Sequence, residues 1–169
     1  LTATNPGGRR GGTPCAIPEG RKMSVEEVVS DVAAFECPVV EITGGEPLLQ
    51  PDVYPLMSEL LARGHTVLLE TGGHRSVAQV PSGVVRIIDV KCPASGEAAK
   101  NDWSNLDLLT PTDEVKFVVQ DRQDYAFAKD VIARHALEGR CAAILISPVH
   151  GVLPGKELAA WILADRLPV

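Results

Sequence analysis

The chain has 169 residues, of which 45% are hydrophobic and only 4% aromatic, with a net charge of −6 and a mean hydropathy of +0.08. That is long and apolar enough to build a core from Val, Leu, Ile and Ala, which excludes a disordered polymer, while the acidic balance excludes a general nucleic-acid binder. No apolar run approaches the ~20 residues of a membrane-spanning helix, so neither nucleic acid nor membrane is an expected partner.

Residues 1–22 are rich in Gly, Arg and Pro without periodicity and read as an irregular segment. The opening Leu1-Thr2-Ala3-Thr4-Asn5 suggests a fragment rather than a natural start. From residue 23 to 169 the pattern reads as one α/β domain. Ser24-Val25-Glu26-Glu27 is a capping box, and Val25, Val28, Val29, Val32 and Phe35 supply the apolar stripe of the helix it opens. Val39 to Thr43 reads as a buried strand. A helix from Tyr54 to Arg63 follows, with Gly64 as its stop, and then a strand from Thr66 to Glu70. A strand from Val85 to Val90 precedes a polar stretch, 93–112, in which Trp103, Leu106 and Leu109 are expected to pack back on the core. Strand Glu114 to Val119, helix Asp124 to His135, strand Ala142 to Ile146 and helix Gly155 to Ala164 complete the series. Strands alternating with helical crossovers predict a parallel sheet with helices outside. The chain is short for a closed eight-stranded barrel, so a partial barrel or open α/β sheet fits better, and Leu167-Pro168-Val169 reads as the start of a further strand.

The polar residues collect where strands end. Thr43-Gly44-Gly45-Glu46-Pro47 ends the first strand, Glu70-Thr71-Gly72-Gly73-His74 the second, Asp89-Val90-Lys91-Cys92-Pro93 the third, and Ser147-Pro148-Val149-His150-Gly151 the fifth. Parallel α/β folds bind ligands at the carboxyl edge of the sheet, so these four ends predict a pocket. Two glycines expose bare main chain to a ligand, and Glu46 places a carboxylate suited to an ammonium group at that opening. Plainer readings compete. Gly72-Gly73 can be a simple turn, Glu70 and Lys91 a structural ion pair, and Asp89 the cap of the next turn. Lys116 lies between Val115 and Phe117 and should face away from the core side they occupy; in a barrel that is the interior, whereas in an open sheet it snorkels. His65 and His135 read as surface residues near helix ends, while His150 lies on the pocket edge.

Cys15, Cys37, Cys92 and Cys141 are scattered, with no pair at zinc or cluster spacing. Cys37 and Cys141 border apolar strands and are expected to be buried thiols, and a reducing cytoplasm is the expected compartment.

Gly-Gly-Glu-Pro at 44–47 resembles the element that holds the methionyl amino group in radical S-adenosylmethionine (SAM) enzymes. With Leu69-Glu70-Thr71-Gly72-Gly73, Asp89-Val90-Lys91-Cys92-Pro93-Ala94-Ser95-Gly96-Glu97, Asp113-Glu114-Val115-Lys116-Phe117-Val118 and Ser147-Pro148-Val149-His150-Gly151 in that order, residues 19–169 resemble the 7-carboxy-7-deazaguanine synthases. The resemblance implies a partial (β/α) barrel of radical SAM type, incomplete at both ends. It implies ring contraction of 6-carboxy-5,6,7,8-tetrahydropterin with loss of ammonia, using SAM, a 4Fe–4S cluster, Mg2+ and a reducing electron donor, in a possible homodimer. It also implies that Thr43 contacts substrate, that Gly45 and Glu46 hold the amino-acid end of SAM, and that Lys91, Cys92, Pro93, Ser95, Ser147, Pro148, Val149 and His150 line the rest of the SAM site. Thr13 would be the family's magnesium-touching threonine. The three-cysteine cluster motif expected just before that point is replaced by Gly11-Gly12 and earlier residues that match nothing in the family, so the chain is expected to be inactive alone. Two rivals are another radical SAM enzyme, such as an activating enzyme, and a cluster-free binding protein of the same fold.

Overall fold

The structure is a computed structural model that describes residues 21–169. Thr13 and Cys15 lie outside the described residues. The chain divides into two compact units, residues up to Thr71 with Gln79–Val85, and Gly72–Ala78 with Arg86–Val169.

The first unit begins with α1, Val25–Ala33, closed at its N-terminus as predicted: Glu27 N–H donates to Ser24 Oγ at 3.2 Å and Ser24 N–H to Glu27 Oε2 at 2.7 Å. The apolar stripe is narrower than expected, since only Val29 is fully buried. Phe35 lies past the helix end and is 80% exposed. The connection turns outward through Glu36, at φ 51°, which carries Phe35 and Cys37 to the surface. Cys37, expected to be buried, is exposed, and its thiol donates to Val39 O at 3.3 Å.

Strand β1, Val39–Ile42, pairs in parallel with β2, Thr66–Thr71, from Val39 opposite Thr66 to Ile42 opposite Leu69. The first strand is not the buried strand its apolar residues predict, because among the described residues it is an outer strand and Val39 stays 49% exposed. Helix α2, Val53–Ala62, packs on β2 and on α1. Its buried residues Val53, Leu56, Met57 and Leu60, with Val67 and Leu69 of β2, form the core of this unit. Gly64 stops α2 at φ 84°, with His65 N–H on Leu60 O and Gly64 N–H on Leu61 O, a Schellman ending.

The second unit holds most of β3, Val85–Val90, with β4, Glu114–Val119, and β5, Ala143–Pro148. These strands pair in parallel in sequence order, with Asp89 opposite Lys116 and Lys116 opposite Leu145. Three helices belong to it: α3, Ser104–Asp107; α4, Arg122–Arg134; and α5, Gly155–Asp165. Val115, Phe117 and Val119 are completely buried against Tyr125, Ala128, Val131 and Leu158. Lys116 therefore lies on the opposite face of β4, as alternation predicts. Leu106 is buried and Trp103 and Leu109 pack on the same core, so the polar stretch does fold back. Trp103 also stacks on His135, with centroids 5.4 Å apart, leaving that histidine half-buried rather than on the surface.

At the amino ends of β3 and β4, Arg86 and Asp113 form a buried ion pair. Asp113 also accepts from Arg86 N–H, Thr110 N–H and Thr110 Oγ, and Arg86 donates to Leu108 O. This charged lock lies at the end of these strands opposite the edge where the sequence predicts a pocket.

Candidate functional site at the carboxyl ends of the strands

In the first unit, β1 ends at Ile42, and Thr43, Gly44 and Gly45 follow as exposed backbone. Gly44 adopts φ 113°, a conformation open to glycine and strained for other residues. This is the bare main chain that the sequence predicts. Glu46 departs from expectation: it is 7% exposed and its carboxylate is turned inward. Oε1 accepts from Leu48 N–H at 3.1 Å, capping the short 3-10 turn Pro47–Leu49. Thr71 Oγ1 donates to both carboxylate oxygens, at 2.9 and 3.0 Å. Glu46 thus ties the end of β1 to the end of β2. Thr43 Oγ1 donates to Glu70 Oε2 at 3.2 Å, forming a second, more exposed tie between the same two strand ends.

A groove of about 580 Å3 in this unit is lined by Val25, Val29, Pro55, Glu26, Asp52 and Glu59 among others. It belongs to the helical flank and includes none of the predicted site residues.

In the second unit, Lys91 follows β3 and pairs its ammonium with Asp89. The predicted Asx cap at Asp89 is replaced by this ion pair. Cys92 is 1% exposed, with its thiol in the core. Burial, reinforced by the nearby Asp124 and Asp89 carboxylates, pushes that thiol up to about 12. The Cys92 carbonyl accepts Ser95 N–H at 3.1 Å and Ser95 Oγ at 2.6 Å. Pro93–Ser95 form a 3-10 turn ending at Gly96, and Ala94 to Gly96 are exposed. Ser147 and Pro148 belong to β5, which extends two residues beyond its predicted end. Val149 N–H is held by Val119 O at 2.9 Å, and His150 is exposed in the following turn.

Three polar side chains that the sequence reading did not single out organise these loops. Asn101 pairs with the main chain of Lys91 in both directions, accepting its N–H at 2.9 Å and donating to its carbonyl at 3.0 Å. Asp124 accepts from Ala94 N–H and Gln120 N–H. Asn105, fully buried, accepts from Val77 N–H and donates to the Gly73 and Arg75 carbonyls. Asp121-Arg122-Gln123-Asp124 after a strand is the one available sequence signal, since it reads as a helix start. The two asparagines carry none, because their partners lie in other loops. Gly72-Gly73 is more than a simple turn: a Cβ on Gly73, at φ 72°, would sit 2.9 Å from the Asp89 carbonyl.

Among the described residues there is no group of three His, Cys, Asp or Glu able to hold a metal ion. Cys37 is exposed, Cys92 lies in the core, and Cys141 is half-buried with its thiol raised, chiefly by burial. These cysteines do not fit a 4Fe–4S cluster, which takes closely set thiolates. The segments expected to face SAM differ from this, with exposed glycine main chain in the first unit, and a lysine and a turn closed by a serine hydroxyl in the second.

Parallel strands with outer helices define an α/β protein of the partial-barrel kind. The fold is shared with QueE from Escherichia coli, at a TM-score of 0.67 and 19% identity over 85% of this chain and 61% of that one. No family model matches the chain. Curated relatives do. It is 45% identical over 164 residues to 7-carboxy-7-deazaguanine synthase of Koribacter versatilis, covering 89% of this chain and 73% of the relative. It is 44% identical over 160 residues to the synthase of Chlorobaculum tepidum, covering 93% and 72%. The chain belongs to the 7-carboxy-7-deazaguanine synthase family.

Proposed function

We propose that this chain serves the reaction of its family, conversion of 6-carboxy-5,6,7,8-tetrahydropterin to 7-carboxy-7-deazaguanine with loss of ammonia, on the route to queuosine. The observation that carries this reading is the 45% identity across 89% of the chain, which includes the strand-end segments. SAM, if bound beside a cluster supplied from outside the described residues and given one electron by it, would supply a carbon-centred radical able to remove a hydrogen atom from substrate. What this chain contributes is binding and shielding. Gly45 presents main chain to the amino-acid end of SAM, and Glu46 is the carboxylate assigned to its ammonium. For Glu46 to meet that ammonium it must share or exchange its bond to Thr71. Lys91, Pro93 and Ser95, the Cys92 main chain, and Ser147, Pro148, Val149 and His150 are assigned to the remainder of SAM. Thr43 is assigned to the pterin, in exchange for or alongside Glu70. Thr13 is assigned to magnesium. The substrate is a small molecule, and the electron donor, homodimer and cytoplasmic location belong to the same proposal. No helix among the described residues is long and apolar enough to cross a membrane.

The test is a chimera in which residues 13–169 replace the matching segment of a longer family member that supplies the cluster cysteines. Anaerobic turnover with SAM, reductant and 6-carboxy-5,6,7,8-tetrahydropterin should release 7-carboxy-7-deazaguanine. A folded chimera that cleaves SAM but leaves the pterin intact would assign another radical SAM reaction. One observation favours a second reading, a cluster-free binding protein: the described cysteines do not form a cluster site. Pterin binding by the 169-residue chain together with a chimera that fails to turn over would support it.

A further inference from the structure

We propose that Asn101 and Asp124 are positioning residues that clamp Lys91–Ser95 at its two ends and hold it in the shape that receives SAM. This rests on the assignment of that segment to the SAM site. Asn101 is joined to both the N–H and the carbonyl of Lys91, at 2.9 and 3.0 Å, so its amide takes the place of a neighbouring strand at the point where β3 has ended. At the other end Asp124, 1% exposed, accepts Ala94 N–H at 2.9 Å across thirty residues of chain.

Asp124 is not needed there as a helix cap, since Asp121 already accepts from Gln123 N–H and Asp124 N–H. An acidic residue at this third helical position ordinarily reaches back to the N–H of the capping residue. Here the carboxylate bypasses Asp121, and its second oxygen takes Gln120 N–H at 3.1 Å. Both oxygens are thereby spent on main chain outside the helix. Between the clamps, Cys92 is sunk in the core and Ser95 closes on the Cys92 carbonyl. What remains outward is Ala94 to Gly96, exposed but immobilised from both sides. A segment shaped in advance loses less freedom on binding than one that must order around its ligand.

The experiment is a titration of the 15N-labelled 169-residue chain with SAM, following the amide resonances of Lys91 to Gly96. Wild type should show saturable shifts there. Asn101→Ala and Asp124→Asn should bind about tenfold more weakly, the usual order for partners that orient a ligating group. Ile132→Val, a core change about two turns along α4 from Asp124, should lower the melting temperature without changing affinity. Wild-type affinity in both clamp variants would overturn the positioning role and leave the SAM assignment standing. Equal weakening in Ile132→Val would reduce the effect to stability and overturn it also. Absence of saturable shifts in wild type would overturn the SAM assignment of this segment and the proposal with it. If Asp124→Asn does not fold, Asn101→Ala carries the test, because its half-exposed side chain can be removed without opening the core.

Discussion

The Glu46 carboxylate, proposed to meet an ammonium group, already has a role in the fold. It holds Leu48 N–H and Thr71 Oγ1, so the ligand-free chain depends on it. Glu46→Gln keeps one acceptor and turns an amide N–H2 toward the Thr71 side, and the loss of a hydrogen bond to a charged group should lower stability by about 1.5–3 kcal/mol. Urea unfolding without ligand measures this, and an unchanged midpoint would mean that Gln restores both bonds. Thr43→Val keeps the β-branched shape and deletes the bond to Glu70. With that pair exposed, the melting temperature should stay near wild type, and calorimetry in a full-length family member should show pterin affinity falling while SAM affinity holds. Gly73 is constrained from both sides: its φ is positive, and an added Cβ would meet the Asp89 carbonyl. Gly73→Ala should destabilise by at least about 1–2 kcal/mol from the left-handed backbone alone. It should also perturb the amide shifts of β3, because the backbone of Asp89 must give way.

At the level of elements, the helix ends explain where boundaries fell. Helix α4 starts at Arg122, two residues before its predicted start, because Asp121 rather than a later residue caps it. It ends with Leu137 N–H on Ile132 O and Ala136 N–H on Ala133 O, the same ending that Gly64 gives α2. Here the left-handed position is Ala136, at φ 47°, a conformation that glycine adopts at lower cost. Ala136→Gly should therefore raise stability by up to about 1 kcal/mol, read from the midpoint of denaturant unfolding. A loss would show that the entropy added to the unfolded chain outweighs the relieved strain. Strand ends moved for a comparable reason. The last strand runs on to Pro148 because Ser147 and Pro148 stay in register with Val118 and Val119, a pairing that apolar character alone does not announce.

Across the molecule, two properties depend on charge and thiol placement rather than on any single element. Burial raises the Asp113 carboxyl, but the bonds from Arg86 and Thr110 outweigh it and leave the group below the usual carboxylate value. A lowered carboxylate contributes stability that is present above its unfolded value, about 3.9, and is lost as pH falls through the folded one. Acid unfolding should therefore steepen below about pH 4, and Asp113→Asn should flatten that limb. At neutral pH the same variant leaves Arg86 buried without its counter-charge and should lower stability by about 3–5 kcal/mol. The described cysteines are one exposed, one in the core and one half-buried. Anaerobic reconstitution of the 169-residue chain with iron and sulfide should accordingly give no stoichiometric 4Fe–4S absorption. Incorporation in proportion to protein would mean that the cysteines rearrange around the cluster or that Cys15 takes part.

Periodicity and local chemistry were enough to locate the five strands and the four longer helices of the described residues, because alternation, caps and glycine stops act between residues close in the chain. The capping box at Ser24, the core set Val115, Phe117 and Val119, and the four polar strand ends were all legible in this way. Burial at β1 and Cys37 was not, because it depends on which strand lies at the outside of the sheet. The inward turn of Glu46 was hidden too, since it depends on Thr71, twenty-five residues on. The same holds for Asn101, Asn105 and Asp124. Each is an ordinary polar residue in sequence and acquires its role from main-chain groups that only folding brings within hydrogen-bonding distance.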